Sequence, residues 1–140
     1  MKAKRPKIKQ GYASKQTMEI LIVDDNAAIR RVIRRSICDI ADEVVECSDG
    51  DEVVALYAKY LPDLVLMDIR MSRMDGLAAT RVLKAHFPRA SVLIVTDIDD
   101  EAVRIAALQA GACGYALKQN LAELDQVILN LIATNTPSED

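Results

Sequence analysis

From Met18 onward, short apolar runs alternate with segments of helical period. The runs fall at residues 20–23, 44–45, 64–67, 92–95 and 115–117, each bounded by polar or turn residues. They are continuous rather than alternating, which predicts strands buried on both faces, as in a parallel sheet. The second run is the weakest, which suits an edge position.

Helical patterning fills the gaps. Ile29, Val32, Ile33 and Ile37 share one face of the first helix, with Asp25 or Asn26 as N-cap. Residues 51–60 predict a second helix capped by Ser48 or Asp49, and 77–86 a third that stops near Pro88. Residues 101–110 predict a fourth, capped by Asp99 or Asp100 and ended by Gly111. Leu121, Leu124, Val127, Ile128, Leu131 and Ile132 stripe a fifth. Five strand–helix pairs in a row predict one doubly wound α/β domain over 18–133. Right-handed crossovers make 2-1-3-4-5 the expected order of its five parallel strands.

Charge divides the chain unevenly. Residues 1–18 carry six basic and no acidic side chains, so the remainder stands at −9 within a total of −3. Residues 1–17 read as a basic, solvated arm and 134–140 as a polar tail. The acidic body would repel phosphate backbones, so nucleic acid is not an expected partner of the domain itself. The longest aliphatic runs are four residues, far below a membrane span, and no apolar stretch of secretory type follows the basic residues. Three cysteines without CxxC spacing and one histidine fit reduced thiols in a cytoplasmic chain, not a disulfide frame or a zinc site.

Ligands in such sheets bind at the carboxyl ends of the strands, beside the switch point between strands 1 and 3. The first strand ends in Asp24 and Asp25, the third in Asp68, the fourth in Thr96 and the fifth in Lys118. Three carboxylates in one cleft repel one another, and a hard divalent cation relieves that repulsion. Mg²⁺ suits the role because it takes one or two carboxylates together with waters and a phosphate. Asp68 then reads as a carboxylate nucleophile toward phosphorus, with Lys118 neutralising phosphoryl charge and Thr96 bonding a phosphoryl oxygen.

Leu21-Ile22-Val23-Asp24-Asp25-Asn26, Leu66-Met67-Asp68-Ile69-Arg70-Met71, Met74-Asp75-Gly76, Ile94-Val95-Thr96 and Gly111-Ala112-Cys113-Gly114-Tyr115-Ala116-Leu117-Lys118 resemble the receiver domain of two-component response regulators. The resemblance implies a (βα)5 flavodoxin-like fold and phosphorylation at Asp68. It further implies Mg²⁺ held by Asp25, by Asp24 directly or through water, by Asp68, and by the Arg70 backbone carbonyl. Thr96 and Tyr115 match the family's switch pair. The face built from the fourth helix, fifth strand and fifth helix is then the one that selects an output protein.

The match departs from the family pattern at three positions. Gln119 and Ser72 stand where many receivers have proline; a trans bond is expected before Gln119 because a non-proline cis bond costs about 2.5–4 kcal/mol. Asp97 follows Thr96, where receivers have a small residue. Two readings stay open for it: an ion pair with Arg70 that covers the site, or a solvated acid helping to start the fourth helix. Arg30, Arg31, Arg34 and Arg35 make like-charged i,i+4 pairs on the first helix, read either as a solvated face or as a kinase docking surface.

The functional expectation is a cytoplasmic signalling domain that catalyses only its own phosphorylation and dephosphorylation. It would accept phosphate from a histidine kinase or phosphotransfer protein, with a homodimer left open. It reads as a stand-alone receiver, since no helix-turn-helix stretch follows the fifth helix. The rivals are the receiver portion of a longer DNA-binding regulator, a phosphorylation-independent pseudo-receiver, and an aspartyl phosphatase. The last is disfavoured because Arg70, not an acid, stands two residues after Asp68.

Overall fold

The computed structural model describes residues 18–135; the expected basic arm at 1–17 and residues 136–140 of the expected tail lie outside the described residues. The chain runs β1 (Met18–Val23), α1 (Ala27–Ser36), β2 (Ala41–Cys47), a 3-10 turn (Gly50–Glu52), α2 (Val53–Tyr60) and β3 (Leu64–Met67). It continues through α3 (Gly76–His86), β4 (Val92–Thr96), α4 (Glu101–Gln109), β5 (Gly114–Leu117), a 3-10 segment (Lys118–Glu123) and α5 (Leu124–Asn135). The strands are all parallel, in the order β2-β1-β3-β4-β5.

Strand parity explains the continuous apolar runs. Ile20, Ile22, Leu64, Leu66, Leu93 and Val95 point to one face and meet Ile33 and Ile37 from α1 and its end and Leu124 and Ile128 of α5. Their neighbours Leu21, Val23, Val65, Met67, Val92 and Ile94 point to the other face and meet Val53, Tyr57, Ala79, Leu83 and Ala107 of α2, α3 and α4. Each inner strand therefore needs an apolar residue at every position, because both of its faces carry helices.

The edge strand β2 spans seven residues where only Val44 and Val45 signal it, since three of the others are acids, with Asp42 and Glu46 exposed and Glu43 half-buried. The α1 cap is Asn26, whose Oδ1 accepts the Ile29 amide at 3.0 Å. That leaves the Asp25 carboxylate uncommitted to capping. Asp75 caps α3 through the Ala78 amide at 2.8 Å, and Asp100 caps α4 through Val103 at 3.1 Å. The fifth helical stripe begins in 3-10 geometry rather than as regular helix. Side chains at i and i+3 eclipse in that geometry, so Leu121 within it and Leu124, the first residue of α5, both reach the core. Among the described residues no helix is long and apolar enough to cross a membrane.

Adjacent positions of α3 test this packing, because Leu83 is fully buried while Val82 is 37% exposed. We expect Leu83→Ala to lose about 3 kcal/mol in urea unfolding, from lost transfer energy plus the cavity left behind. Val82→Ala should stay within about 0.5 kcal/mol of the parent.

Candidate functional site: an acidic cluster at the carboxyl edge of the sheet

The sheet ladder continues one residue beyond β1 and β3. The Asp24 amide donates to the Cys47 carbonyl at 3.0 Å and the Asp68 amide to the Val23 carbonyl at 2.9 Å. Both acids are thus held by strand geometry although they stand past the strand ends. Asp24 and Asp68 are buried, at 1% and 4% exposure, while Asp25 is exposed at the mouth. Carboxylate oxygens of the three lie within 4.8 Å of one another.

Lys118 leans in from the end of β5. Its Nζ lies 2.8 Å from Asp24 Oδ2 and 3.1 Å from Asp68 Oδ1. Among the described residues no peptide bond is cis, so the bond to Gln119 is trans as expected, and the lysine still spans both acids. Asp24 Oδ1 accepts the Asn26 amide at 2.8 Å. Its other oxygen, Oδ2, is buried without a directed hydrogen bond, and its approach to Lys118 is a charge contact rather than an aligned bond.

Burial raises the Asp68 carboxyl to a pKa of about 6, the Asp24 charge adds to the rise, and Lys118 partly opposes it. Burial pulls the Lys118 ammonium down, but Asp24 and Asp68 outweigh it and leave the net shift upward. Three acids facing one ammonium leave surplus negative charge, and one buried oxygen lacks a directed donor. A hard divalent cation fits both conditions, and the all-oxygen donor set fits Mg²⁺. Asp25 and Arg70 also line an open cavity of about 560 Å³ beside the cluster, together with Ile69, Met71, Ser72 and Asp75.

Thr96 is fully buried, and its Oγ1 accepts the Ile98 amide at 3.2 Å. Tyr115 donates its hydroxyl to the Ile98 carbonyl at 2.7 Å. Burial raises the Tyr115 pKa, with Asp100, Asp99 and Asp97 adding to it. The two residues matched to a switch pair are therefore bonded to one residue, Ile98, which the sequence reading did not single out.

Of the two readings of Asp97, the covering pair is not formed. Asp97 and Arg70 are both exposed, and no ion pair joins them among the described residues. The arginines of α1 divide: Arg30 and Arg34 both bond Glu46 of β2 at 2.8 Å, and Arg30 Nη1 also donates to the Asp24 carbonyl at 2.6 Å. Arg31 and Arg35 remain on the exposed side. The like-charge strain anticipated along α1 is thus relieved in part by an acid on a strand, which helix periodicity does not reveal. The sequence offers Asp49 only as a cap. It is 3% exposed and also accepts the backbone amides of Arg73 and Met74 from the loop that follows Asp68.

The family model described as response regulator receiver domain matches residues 20–129. The chain is 36% identical over 104 residues to the transcriptional regulatory protein DegU of Brevibacillus brevis, covering 73% of this chain and 44% of DegU. Among solved structures it is similar to a two-component response regulator of the LuxR family from Aurantimonas sp. SI85-9A1. There the TM-score is 0.80 and the identity 34%, over 85% of this chain and 87% of that one. The response regulator domain of Thermotoga maritima CheB aligns with a TM-score of 0.76 at 26% identity, over 89% of this chain and all of that one, 100%. The chain spans about half the length of the curated relatives it matches.

The raised Asp68 pKa makes a prediction for the metal-free protein. Below about pH 3 the carboxyl is protonated folded and unfolded alike, so it contributes no difference. As pH rises toward 6 the unfolded chain releases this proton first, and wild type loses stability relative to a neutral Asn. Asp68→Asn should therefore be more stable than wild type by about 2 kcal/mol at pH 7.5 without Mg²⁺. The gap should shrink toward zero near about pH 3 and close on adding Mg²⁺; thermal unfolding with and without chelator checks all three.

Proposed function

The chain belongs to the response regulator receiver domain family, and we propose that it works as a phosphoacceptor whose acceptor is Asp68. The observation that carries this reading is the contact of one lysine with two buried acids at the sheet edge, Asp24 and Asp68. A lone structural acid would need no such arrangement, and two acids so close are unfavourable without a positive centre. Asp24, Asp25, Asp68 and the Arg70 carbonyl would hold Mg²⁺, which when bound supplies positive charge against the phosphoryl oxygens.

The residues divide the rest of the chemistry. A carboxylate oxygen of Asp68 attacks phosphorus of a phosphohistidine or acyl phosphate as the P–N or P–O bond to the leaving group breaks. The electron pair leaves with the imidazole nitrogen or acyl oxygen, and imidazole takes up a proton from solvent. Lys118 is placed to trade its contact with Asp68 for one with a phosphoryl oxygen, at no cost in net charge pairing. Thr96 Oγ1 already accepts from Ile98, so its own O–H is left to donate to the phosphoryl group. That shift would disturb Ile98 and through it Tyr115, coupling the site to the β4–α4 loop and the α4–β5–α5 face. A two-state surface biased in this way is the form of output we propose.

A histidine kinase or phosphotransfer protein is the proposed donor, and a protein on the α4–β5–α5 face the proposed receiver of the signal. Site and fold both suit aqueous surroundings, and we propose the cytoplasm. The pseudo-receiver reading is less favoured, because Asp24, Asp25, Asp68 and Lys118 stand together at the edge.

Intact-mass analysis with Mg²⁺ and acetyl phosphate or phosphoramidate tests the reading. One added phosphoryl group is expected on wild type and none on Asp68→Ala or without Mg²⁺; a folded wild type that gains nothing from either donor would sink it. Because Asp97 makes no ion pair among the described residues, Asp97→Ala should dephosphorylate within about twofold of wild type, followed by the decay of the added mass.

A further inference from the structure

Asp49 is a buried carboxylate that the phosphoryl chemistry does not use. Its partners lie in the loop between β3 and α3, which departs from Asp68 and carries Arg70. The Arg73 amide donates to Asp49 Oδ2 at 2.8 Å and the Met74 amide to Asp49 Oδ1 at 2.9 Å. Oδ1 also accepts the Asp51 amide at 3.3 Å. Resting on the phosphoacceptor reading, we propose that Asp49 is a positioning residue that, helped by Arg73, aims the Arg70 carbonyl at the metal site and so sets Mg²⁺ affinity.

The loop is fixed at two places. At its root the Gly76 amide donates to the Ile69 carbonyl at 2.8 Å, and a Cβ on Gly76 would lie 1.9 Å from the Asp68 carbonyl oxygen. The loop therefore leaves and re-enters through one narrow gap that glycine alone permits. At its tip Asp49 grips two consecutive amides. A Cβ on Gly50 would come within 2.5 Å of the Met74 carbonyl oxygen, so the two turns are in close contact there as well. The exposed Arg73 side chain closes over this contact, reaching Asp51 at 2.7 Å and Glu52 at 3.2 Å. Arg70, Met71 and Ser72 are suspended between root and tip, lining the cavity that Asp25 also lines.

A surface loop without such attachments samples many backbone states, and a carbonyl ligand carried on it would be ordered only when the metal bound. Groups that orient a metal's ligands typically change affinity 10–100-fold when removed. Asparagine is no equal substitute here. The two loop amides reach different oxygens of one carboxylate, and an amide NH₂ at either place would set donor against donor.

The test is calorimetric titration of metal-free full chain with Mg²⁺ alone, alongside thermal unfolding. Asp49→Asn should weaken Mg²⁺ binding roughly 10-fold. Arg73→Ala, at an exposed side chain, should weaken it about threefold with the fold intact. Ile128→Val, in the core on the other face of the sheet, is the control for stability alone and should leave affinity unchanged. If Asp49→Asn lowers the unfolding temperature but binds Mg²⁺ within twofold of wild type, Asp49 is only scaffold and the inference is overturned. If that variant does not fold, Arg73→Ala decides, and unchanged affinity there overturns it equally. Failure of wild type to bind Mg²⁺ overturns the metal reading and this inference together, which separates the two cases.

Discussion

Mutual repulsion among Asp24, Asp25 and Asp68 is the constraint around which this domain is arranged. Two of these acids are buried, and Lys118 alone cannot neutralise three. Holding such charges together requires a support that does not relax. The parallel sheet provides it, because the ladder bonds of β1 and β3 extend to the amides of Asp24 and Asp68 themselves. The aliphatic residues on both faces of those strands pin the ladder in turn. Burial that stabilises the core therefore also prevents the acids from moving apart, and the remaining route to relief is positive charge from outside the chain.

The two loops beside the cluster are held by bonds of different strength. The β3–α3 loop is gripped by an ionised carboxylate and covered by a guanidinium, and charge-assisted bonds of this kind are roughly twice as strong as neutral ones. The β4–α4 loop is tied by two hydroxyl bonds to Ile98, each worth about 1 kcal/mol. On the proposed phosphoacceptor reading, a fixed loop suits the side that would present ligands in constant geometry. A weakly tied loop suits the side that would respond to a group arriving at Asp68. The same site thus has a rigid wall and a yielding one, and the difference follows from which polar groups meet them.

How much of this could be read from sequence depended on the range of the interaction. Inner strands, helix faces and the four strand ends bearing Asp24, Asp25, Asp68, Thr96 and Lys118 were legible, because each is a local pattern or one that topology brings to a known edge. Strand β2 showed only its two central valines, since an edge strand buries little and its acids look like loop. The role of Asp49 could not be seen because its partners lie 24 and 25 residues away and are backbone amides, which have no sequence signature. Ile98 was invisible for the same reason: its contribution is one peptide unit, not its side chain. The Arg70–Asp97 pair was plausible from adjacent strand ends, yet opposite charges at neighbouring positions gain little while both stay in water.

The two missing prolines draw these points together. Proline at the positions of Ser72 and Gln119 would stiffen both loops chiefly by narrowing the unfolded ensemble. Without it, the chain must obtain the same order from contacts in the folded state. After Asp68 it does so through Asp49, Asp51, Glu52 and Arg73, which tie the loop across to the neighbouring turn. After Lys118 it does so through a 3-10 segment that buries Leu121 and brings Leu124 under the sheet, anchoring the strand end from below. Order obtained from contacts can be lost one contact at a time, whereas a ring constraint cannot. The placement of the Arg70 carbonyl and of the Lys118 ammonium is therefore more sensitive to surrounding side chains in this receiver than the residues of the site alone would suggest.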